Sequence, residues 1–437
     1  MSSFILAIIT GSASGILAGL LPGIGSTVTV AIFFPLLLYF DPTFLIIAFA
    51  CHYSMSQYIG SVPAITLGIP GETTSLPAVT EGIVLRKENK YNQAIAFTAI
   101  GSLVGSVLCL LFVYLTMDYI YDLAVIYRTS VQSVLLLIVV ILLIFVGGNS
   151  WYVNVCMLLG GAFLAAIGSH EGPTYTFLTF DDADLMMGLP LFPVLISLFV
   201  IPSIYQSLIS YKETSVAMPV FTPKLRYFID FIKYSTSSLR GTIFGFIGGF
   251  CPGLTNIFST QISYFLEKII SKKDSLRSLI SAETANNAGS ISALLPLIVL
   301  GLPISSSEAL ILALLELKSF ELSLANFVPI LLDVTKALVI VNCIGILLAW
   351  PFAKYLCYCF KIPLKYIYAV ILVVLFFINY YIGYIQYASG FYIIVLFTLL
   401  PIGYLLRHYN TMPLVFSFIL LDKIVENFYV SIQIYTP

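Results

Sequence analysis

Charge is what this chain has least of. Only 9% of its 437 residues are Asp, Glu, Lys or Arg, where a soluble domain carries about a quarter. The net charge of −1 leaves no basic surface for a nucleic acid. Histidine is scarce as well: His52, His170 and His408 lie far apart, so no metal cluster is suggested. The chain has no His-Glu-x2-His and no Gly-x4-Gly-Lys-Ser/Thr loop, which removes a helical zinc protease and a P-loop ATPase. Tyr121-Asp122 has no Gly-x-Gly-Asp partner for an intramembrane aspartyl pair. The seven cysteines (Cys51, Cys109, Cys156, Cys251, Cys343, Cys357, Cys359) include no CxxC pair, and they read as small hydrophobes. Nothing in the sequence calls for a cofactor.

What fills the space is apolar. Hydrophobic residues make up 59% of the chain, and the mean hydropathy is +1.02. Apolar runs long enough to cross about 30 Å of hydrocarbon recur throughout. They lack the alternation of barrel strands, so the expected fold is an all-α polytopic membrane protein. Segments fall near 4–21, 27–40, 43–68, 94–115, 131–146, 154–168 and 185–209. They resume near 241–251, 254–270, 280–300, 307–316, 324–350, 366–381, 390–406 and 412–432. Several are too short to span alone, so half-helices or re-entrant hairpins are expected among roughly 11–14 membrane segments. The run from Phe4 to Leu21 has no basic flank and leads straight into a glycine motif, so it reads as a working first segment. A linker over 210–239, holding Lys212, Lys224, Arg226, Lys233 and Arg240, separates a membrane repeat at 1–209 from another at 240–437.

The repeat shows itself in glycine. Gly11-x3-Gly15-x3-Gly19-x2-Pro22-Gly23 returns as Gly241-x3-Gly245-x3-Gly249-x2-Pro252-Gly253. All five positions shift by the same interval, about 230 residues. Glycine at every fourth position makes a smooth stripe that admits a second backbone, and Pro-Gly then breaks the helix. Broken helices at matching places in two halves point to a transporter binding site. Basic clusters mark the cytoplasmic loops: Arg86/Lys87/Lys90, the linker, Lys268/Lys272/Lys273/Arg277 and Lys354/Lys361/Lys365. Through the offset the three clusters outside the linker each face a loop without basic excess, at Asp41-Pro42, 118–128 or 316–321. Opposite polarity at equivalent places is the expectation for repeats of inverted topology.

Four breaks carry the candidate site. After the first, Pro22-Gly23-Ile24-Gly25-Ser26-Thr27 would leave free N–H groups and a positive dipole end for an anion. Its partner reads Pro252-Gly253-Leu254-Thr255-Asn256, with Thr255 in place of Gly25. A second pair, Gly68-Ile69-Pro70-Gly71-Glu72-Thr73-Thr74-Ser75 and Gly301-Leu302-Pro303-Ile304-Ser305-Ser306-Ser307-Glu308, puts hydroxyls and one Glu after Gly-x-Pro. Those groups suit substrate and cation contacts, though Ser and Thr also cap ordinary helices. Ahead of the last break, Glu283, Asn286 and Asn287 share a helix face and must avoid lipid. They are candidates for the coupling ion together with Ser307, and pairing of Glu283 with Arg277 at the membrane edge is the alternative. Lys423 and Glu426 read as an internal structural pair. Trp151, Tyr119, Tyr121, Tyr127 and Tyr366 fall at segment ends, as an interfacial belt would.

At these residues the sequence resembles the large permease subunit of the tripartite tricarboxylate transporter family. The resemblance rests on Leu21-Pro22-Gly23-Ile24-Gly25, on Ile69-Pro70-Gly71 before Glu81-Gly82, on Glu283 to Ala288, and on Leu300 to Pro303. It extends over Gly160 to Phe199 and Pro413 to Glu426. It implies import of a small di- or tricarboxylate driven by Na+ or H+ across the cytoplasmic membrane. It also implies a small membrane subunit and an extracytoplasmic solute-binding protein as partners; a homo-oligomer stays open. The residues themselves favour secondary active transport. An intramembrane enzyme on a lipid-linked or peptide substrate and a passive anion channel are the alternatives.

Overall fold

The computed structural model describes residues 2–21, 25–126, 140–141, 143–145, 149–170, 175–210, 222–250, 256–301, 303, 305–318, 320, 324–356, 363–386 and 388–419. The first half runs α1 (Ser2–Leu20), α2 (Gly25–Leu37), α3 (Pro42–Leu67), α4 (Leu76–Lys87), α5 (Tyr91–Leu115), α6 (Met117–Ile126) and α7 (Trp151–Ala165). Next, α8 runs through Leu191–Leu195, a π-helical stretch at Ile196–Val200, and Ile201–Ser210. The second half runs α9 (Ser235–Phe250), α10 (Asn256–Ile270), α11 (Ser275–Leu300), α12 (Ser306–Leu317), α13 (Leu324–Ala349), α14 (Leu364–Ile385) and α15 (Ser389–Leu406). The expected all-α fold has one small exception, a hairpin pairing Gly168–His170 with Tyr175–Phe177.

Among the described residues, five helices are long and apolar enough to cross a membrane: α1, α5, α13, α14 and α15. Two long elements of the core, α3 and α11, are absent from that group although each has 26 residues. Their sequences are too polar, because they touch protein and not lipid. From Phe44 to Thr66 every residue of α3 is buried, and Ser281, Glu283, Thr284, Asn286 and Asn287 are buried on α11. Lipid instead meets α14 and α15, whose Val370, Phe377, Ile394 and Phe397 are exposed, as a bilayer-facing surface requires.

The same local rules build α3 and α11. Each begins at an aspartate cap: Asp41 accepts from the Phe44 N–H at 2.9 Å, and Asp274 from the Leu276 and Arg277 N–H groups at 2.9 and 3.2 Å. Each carries an internal proline in its last turns, Pro63 or Pro296. Each ends on a left-handed glycine, Gly68 at φ 74° and Gly301 at φ 63°, a conformation that costs a residue with a Cβ about 1 kcal/mol.

The glycine stripes set the packing. On α1, a methyl at Gly11, Gly15 or Gly19 would collide with the backbone at Ala48, His52 or Ser56 of α3. On α9, one at Gly241, Gly245 or Gly249 would collide with Ser281, Ala285 or Gly289 of α11. Contacts advance together in each pair, so α1 runs parallel to α3 and α9 parallel to α11. Between halves, Gly101, Gly105 and Cys109 of α5 meet Ile280, Thr284 and Ala288 of α11 in that order. The Tyr58 hydroxyl of α3 donates to Asn342 Oδ1 of α13 at 2.6 Å, and Gly345 lies flat against its ring.

After Gly68 the chain doubles back. The Gly71 N–H donates to the Gly60 carbonyl at 3.2 Å, and the Thr74 hydroxyl to Gln57 Oε1 at 2.7 Å. Then α4 climbs alongside α3 again, with Gly82 on Ile65 and the Arg86 guanidinium on the Ile65 carbonyl. A Gly15→Val substitution is expected to abolish a monodisperse size-exclusion peak, because it pushes α1 off α3. Gly390→Ala, which meets nothing within 4 Å, is expected to leave the profile and melting temperature unchanged.

Candidate functional site

The centre of the candidate site is the middle of α3. There Ser56 hydrogen-bonds Ser26 of α2 (3.0 Å between hydroxyls) and accepts from Gln57 Nε2 at 3.1 Å. Ser26 also donates to Glu72 Oε1 at 2.6 Å. Gly25, at φ 61°, opens α2 so close to the same carboxylate that an added Cβ would lie 3.3 Å from Oε2. The start of α2, where a helix N-terminus favours negative charge, is therefore occupied by the protein's own Glu72 carboxyl group. One turn below Ser56, the buried Tyr53 side chain reaches Asn256 at the start of α10 and lies within electrostatic range of Glu72 and Glu308. Ser26, Glu72 and Asn256, each beside a different sequence break, thus meet at Tyr53 and Ser56, and Glu308 beside the fourth break is in electrostatic range of Tyr53.

On the α11 side, Asn256 Nδ2 donates to the Asn286 carbonyl at 3.0 Å and to Asn286 Oδ1 at 3.1 Å. Asn287 Nδ2 donates to Ser102 of α5 at 2.7 Å and to the Glu283 carbonyl at 3.2 Å. Asn286 Nδ2 and Asn287 Oδ1 are buried with no partner among the described residues. Glu283 does not take Arg277: its Oε2 accepts from Ser61 of α3 at 2.7 Å, while Arg277 faces Asp274 at 3.8 Å. The edge pairing is thereby corrected, because Glu283 points along the α3–α11 seam and not toward the loop.

The remaining candidates divide. Ser305 and Glu308 form a capping box, with the Ser305 N–H on Glu308 Oε2 at 3.0 Å and the Glu308 N–H on Ser305 Oγ at 3.2 Å. Ser307 bonds the Ser305 hydroxyl at 3.0 Å. Here the capping use of these hydroxyls is the one observed. Gly71 presses its backbone onto Gly19 and Gly60, Thr74 holds Gln57, Thr73 is exposed, and Thr27 is half-buried on the first turn of α2. Pro22, Gly23, Pro252, Gly253, Thr255 and the side chain of Ser306 lie outside the described residues, as do Tyr127, Lys423 and Glu426.

Reading the sequence alone missed the polar side chains of α3 and two charged clusters. His52, Ser54, Ser56, Gln57 and Ser61 interrupt an apolar run, which is itself a signal in a membrane helix. The buried Glu81 of α4 accepts from Tyr264 and Lys268 of α10, both at 2.6 Å. The buried Glu267 accepts two bonds from Arg240, both 2.8 Å, and one from Ser237 at 2.8 Å. No spacing in the sequence pairs residues so far apart.

Hydrophobic helices around a buried polar seam, with helix ends meeting inside it, define a multi-pass membrane protein of transporter type. The chain belongs to the tripartite tricarboxylate transporter TctA family, whose model matches residues 5–416. That family is one of transporters, not enzymes. An uncharacterized 52.8 kDa protein in the TAR-I ttuC' 3'region of Agrobacterium vitis is 26% identical over 68% of this chain and 60% of its own length. An uncharacterized protein of Methanocaldococcus jannaschii is 27% identical over 68% of this chain and 69% of its own length. The match thus spans less than two thirds of the first relative. No solved structure matches the chain.

Lys268→Met leaves Glu81 buried without its cation and is expected to destabilise the protein by about 2 kcal/mol, below the full cost of a broken buried pair because Lys268 is partly exposed. Adding Glu81→Gln should recover most of that loss. Thermal melts of the single and double variants in detergent check the coupling.

Proposed function

We propose that this chain is the permease of a secondary active transporter that imports a small organic di- or tricarboxylate across the cytoplasmic membrane, coupled to Na+ or H+. The observation that carries the reading is the meeting of Ser26, Glu72 and Asn256, each next to a sequence break, at Tyr53 and Ser56 in the interior of a membrane protein of this family. In this reading the substrate carboxylates bind between the breaks, at Pro22, Gly23, Gly25, Ser26 and Thr27, and at Gly71 to Thr74. Pro252, Gly253, Thr255 and Asn256 face them, with Ser305 and Ser306. Helix N-termini supply positive dipole ends and unpaired N–H groups there. Glu283, Asn286 and Asn287, with Ser307, serve the coupling cation. The unpartnered Asn287 Oδ1 and the Glu283 carboxylate supply oxygens, and Asn286 Nδ2 is a spare donor toward substrate. A small membrane subunit and an extracytoplasmic binding protein complete the system.

Alternating access follows if the halves are inverted repeats. The helix directions support that arrangement. Residues 88–90 alone separate α4 from α5, and Arg86 sits against the end of α3, so α5 starts where α3 finishes. Since α5 runs with α11, α11 runs against α3. Each takes its glycine-striped partner along, α1 with α3 and α9 with α11. The segment from Gly68 through α4 is then a re-entrant hairpin that returns to the face it left.

Proteoliposomes given an inward Na+ or proton gradient are expected to accumulate labelled citrate above its equilibrium level, and Asn286→Ala or Asn287→Ala to abolish that accumulation. Mere equilibration would indicate a channel. Undiminished accumulation in both variants would remove the proposed cation site.

A further inference from the structure

The acidic side chains in the polar seam are not alike. Glu81 has Lys268 at 2.6 Å, and Glu267 has Arg240 at 2.8 Å. Glu72 and Glu283 have no Lys, Arg or His within 4 Å among the described residues. Glu283 was read above as part of a cation site. Glu72 is different in kind, because its carboxylate occupies a place that suits a substrate anion.

Three observations define that place. Oε1 takes the Ser26 hydroxyl at 2.6 Å, and Oε2 lies over the positive-φ backbone of Gly25, so the carboxylate sits at the positive end of α2. Glu72 packs at the level of Gly60, on a part of α3 that is buried throughout. Yet Glu72 itself is only half-buried and the adjoining Thr73 is exposed. The turn that carries the carboxylate therefore reaches the surface at Thr73. The Tyr53 hydroxyl of α3 lies in electrostatic range of both Glu72 and Glu308 of α12, and Glu283 of α11 bonds Ser61, next to Gly60. His52, one turn along α3 from Ser56, bonds Ser14 through Nδ1 at 2.9 Å, and its Nε2 has no partner among the described residues. An incoming carboxylate would meet a seat already taken by a like charge, and repulsion is strong at close range in a low-dielectric interior.

We infer that Glu72 is a tethered carboxylate that competes with the substrate for the start of α2, and that it takes up a proton whenever a substrate carboxylate binds there. The inference rests on the carboxylate-import reading. The proton comes from water at the exposed Thr73 turn and adds to a Glu72 oxygen, which removes one negative charge. The Ser26 hydroxyl and the first N–H groups of α2 are then available to the incoming anion. On release the proton returns to water, and Glu72 reseats on Ser26. One proton thereby accompanies each substrate, and each affinity favours the other by the same factor.

The test uses the purified full chain in detergent with citrate as probe. Citrate affinity and proton uptake are measured by calorimetry across a pH series in buffers of different ionisation enthalpy. Glu72→Gln serves to subtract the titration of citrate itself. Relative to Glu72→Gln, the wild type is expected to gain about tenfold in citrate affinity per unit fall in pH above the titration of Glu72, and to take up one additional proton. The same slope and proton count in both proteins would overturn the role of Glu72 while leaving the carboxylate reading intact. Should Glu72→Gln not fold, Ser26→Ala removes the donor that favours the ionised carboxylate. It is expected to move the midpoint of the affinity profile to higher pH, and an unmoved midpoint overturns the inference. Absence of binding by the wild type at every pH, for citrate, succinate and malate alike, would overturn the carboxylate reading and this inference with it.

Discussion

The contact on which the rest of the structure depends is backbone against backbone: α1 on α3 and α9 on α11, with glycine at every crossing point. In a bilayer apolar side chains gain little by leaving lipid for one another, so helices associate through close packing and polar contacts. The stripes at Gly11, Gly15 and Gly19 and at Gly241, Gly245 and Gly249 allow that packing at its shortest distance. They also carry the end of α1 to the middle of α3, where Gly19, Gly60 and Gly71 meet. The end of such a stripe therefore lies inside the protein, at a contact that larger residues would not permit.

That arrangement decides where polar groups can exist. The hydroxyls, amides and carboxylates of α3 and α11 occupy helices shielded along their length by α1, α5, α9 and α13. Within the seam they divide by partner. Glu81 and Glu267 hold cations from neighbouring helices, and such pairs tie elements together at a desolvation cost that their hydrogen bonds offset. Ser305 and Glu308 satisfy the first turn of α12. Asn256 and Glu72 lie beside helix starts, and Asn286 Nδ2 and Asn287 Oδ1 on the facing helix are among the buried atoms with no partner among the described residues. Stability and binding thus use the same residue types in different surroundings.

Much of this could be read in advance, for identifiable reasons. The helical class follows from apolar run length, a property of composition that no packing alters. The duplication follows from the spacing of glycine and proline, whose backbone effects are local. The matched ends of α3 and α11, Asp cap to left-handed Gly, are local as well. Gly25, Ser26, Glu72 and Asn256 stand out in sequence because each lies beside such a break. His52, Tyr53, Ser56 and Gln57 do not, since a polar residue inside an apolar helix shows that it avoids lipid without showing what it meets. The capping role of Ser305 and the choice of Ser61 over Arg277 by Glu283 were likewise undecidable from spacing.

The sequence by itself determined that this is a helical membrane protein, that its two halves share one pattern, and that the pattern contains breaks. Each of these depends on residues near one another in the chain. Only the tertiary structure decided which polar groups meet. The partner of Glu81 lies on α10, that of Glu283 on α3, and that of Tyr58 on α13. It also decided that the group at the start of α2 is the Glu72 carboxyl. The reason is physical: the stability of a buried carboxylate or amide depends on the dielectric and the donors within a few ångströms, and in this fold those donors come from helices distant in sequence.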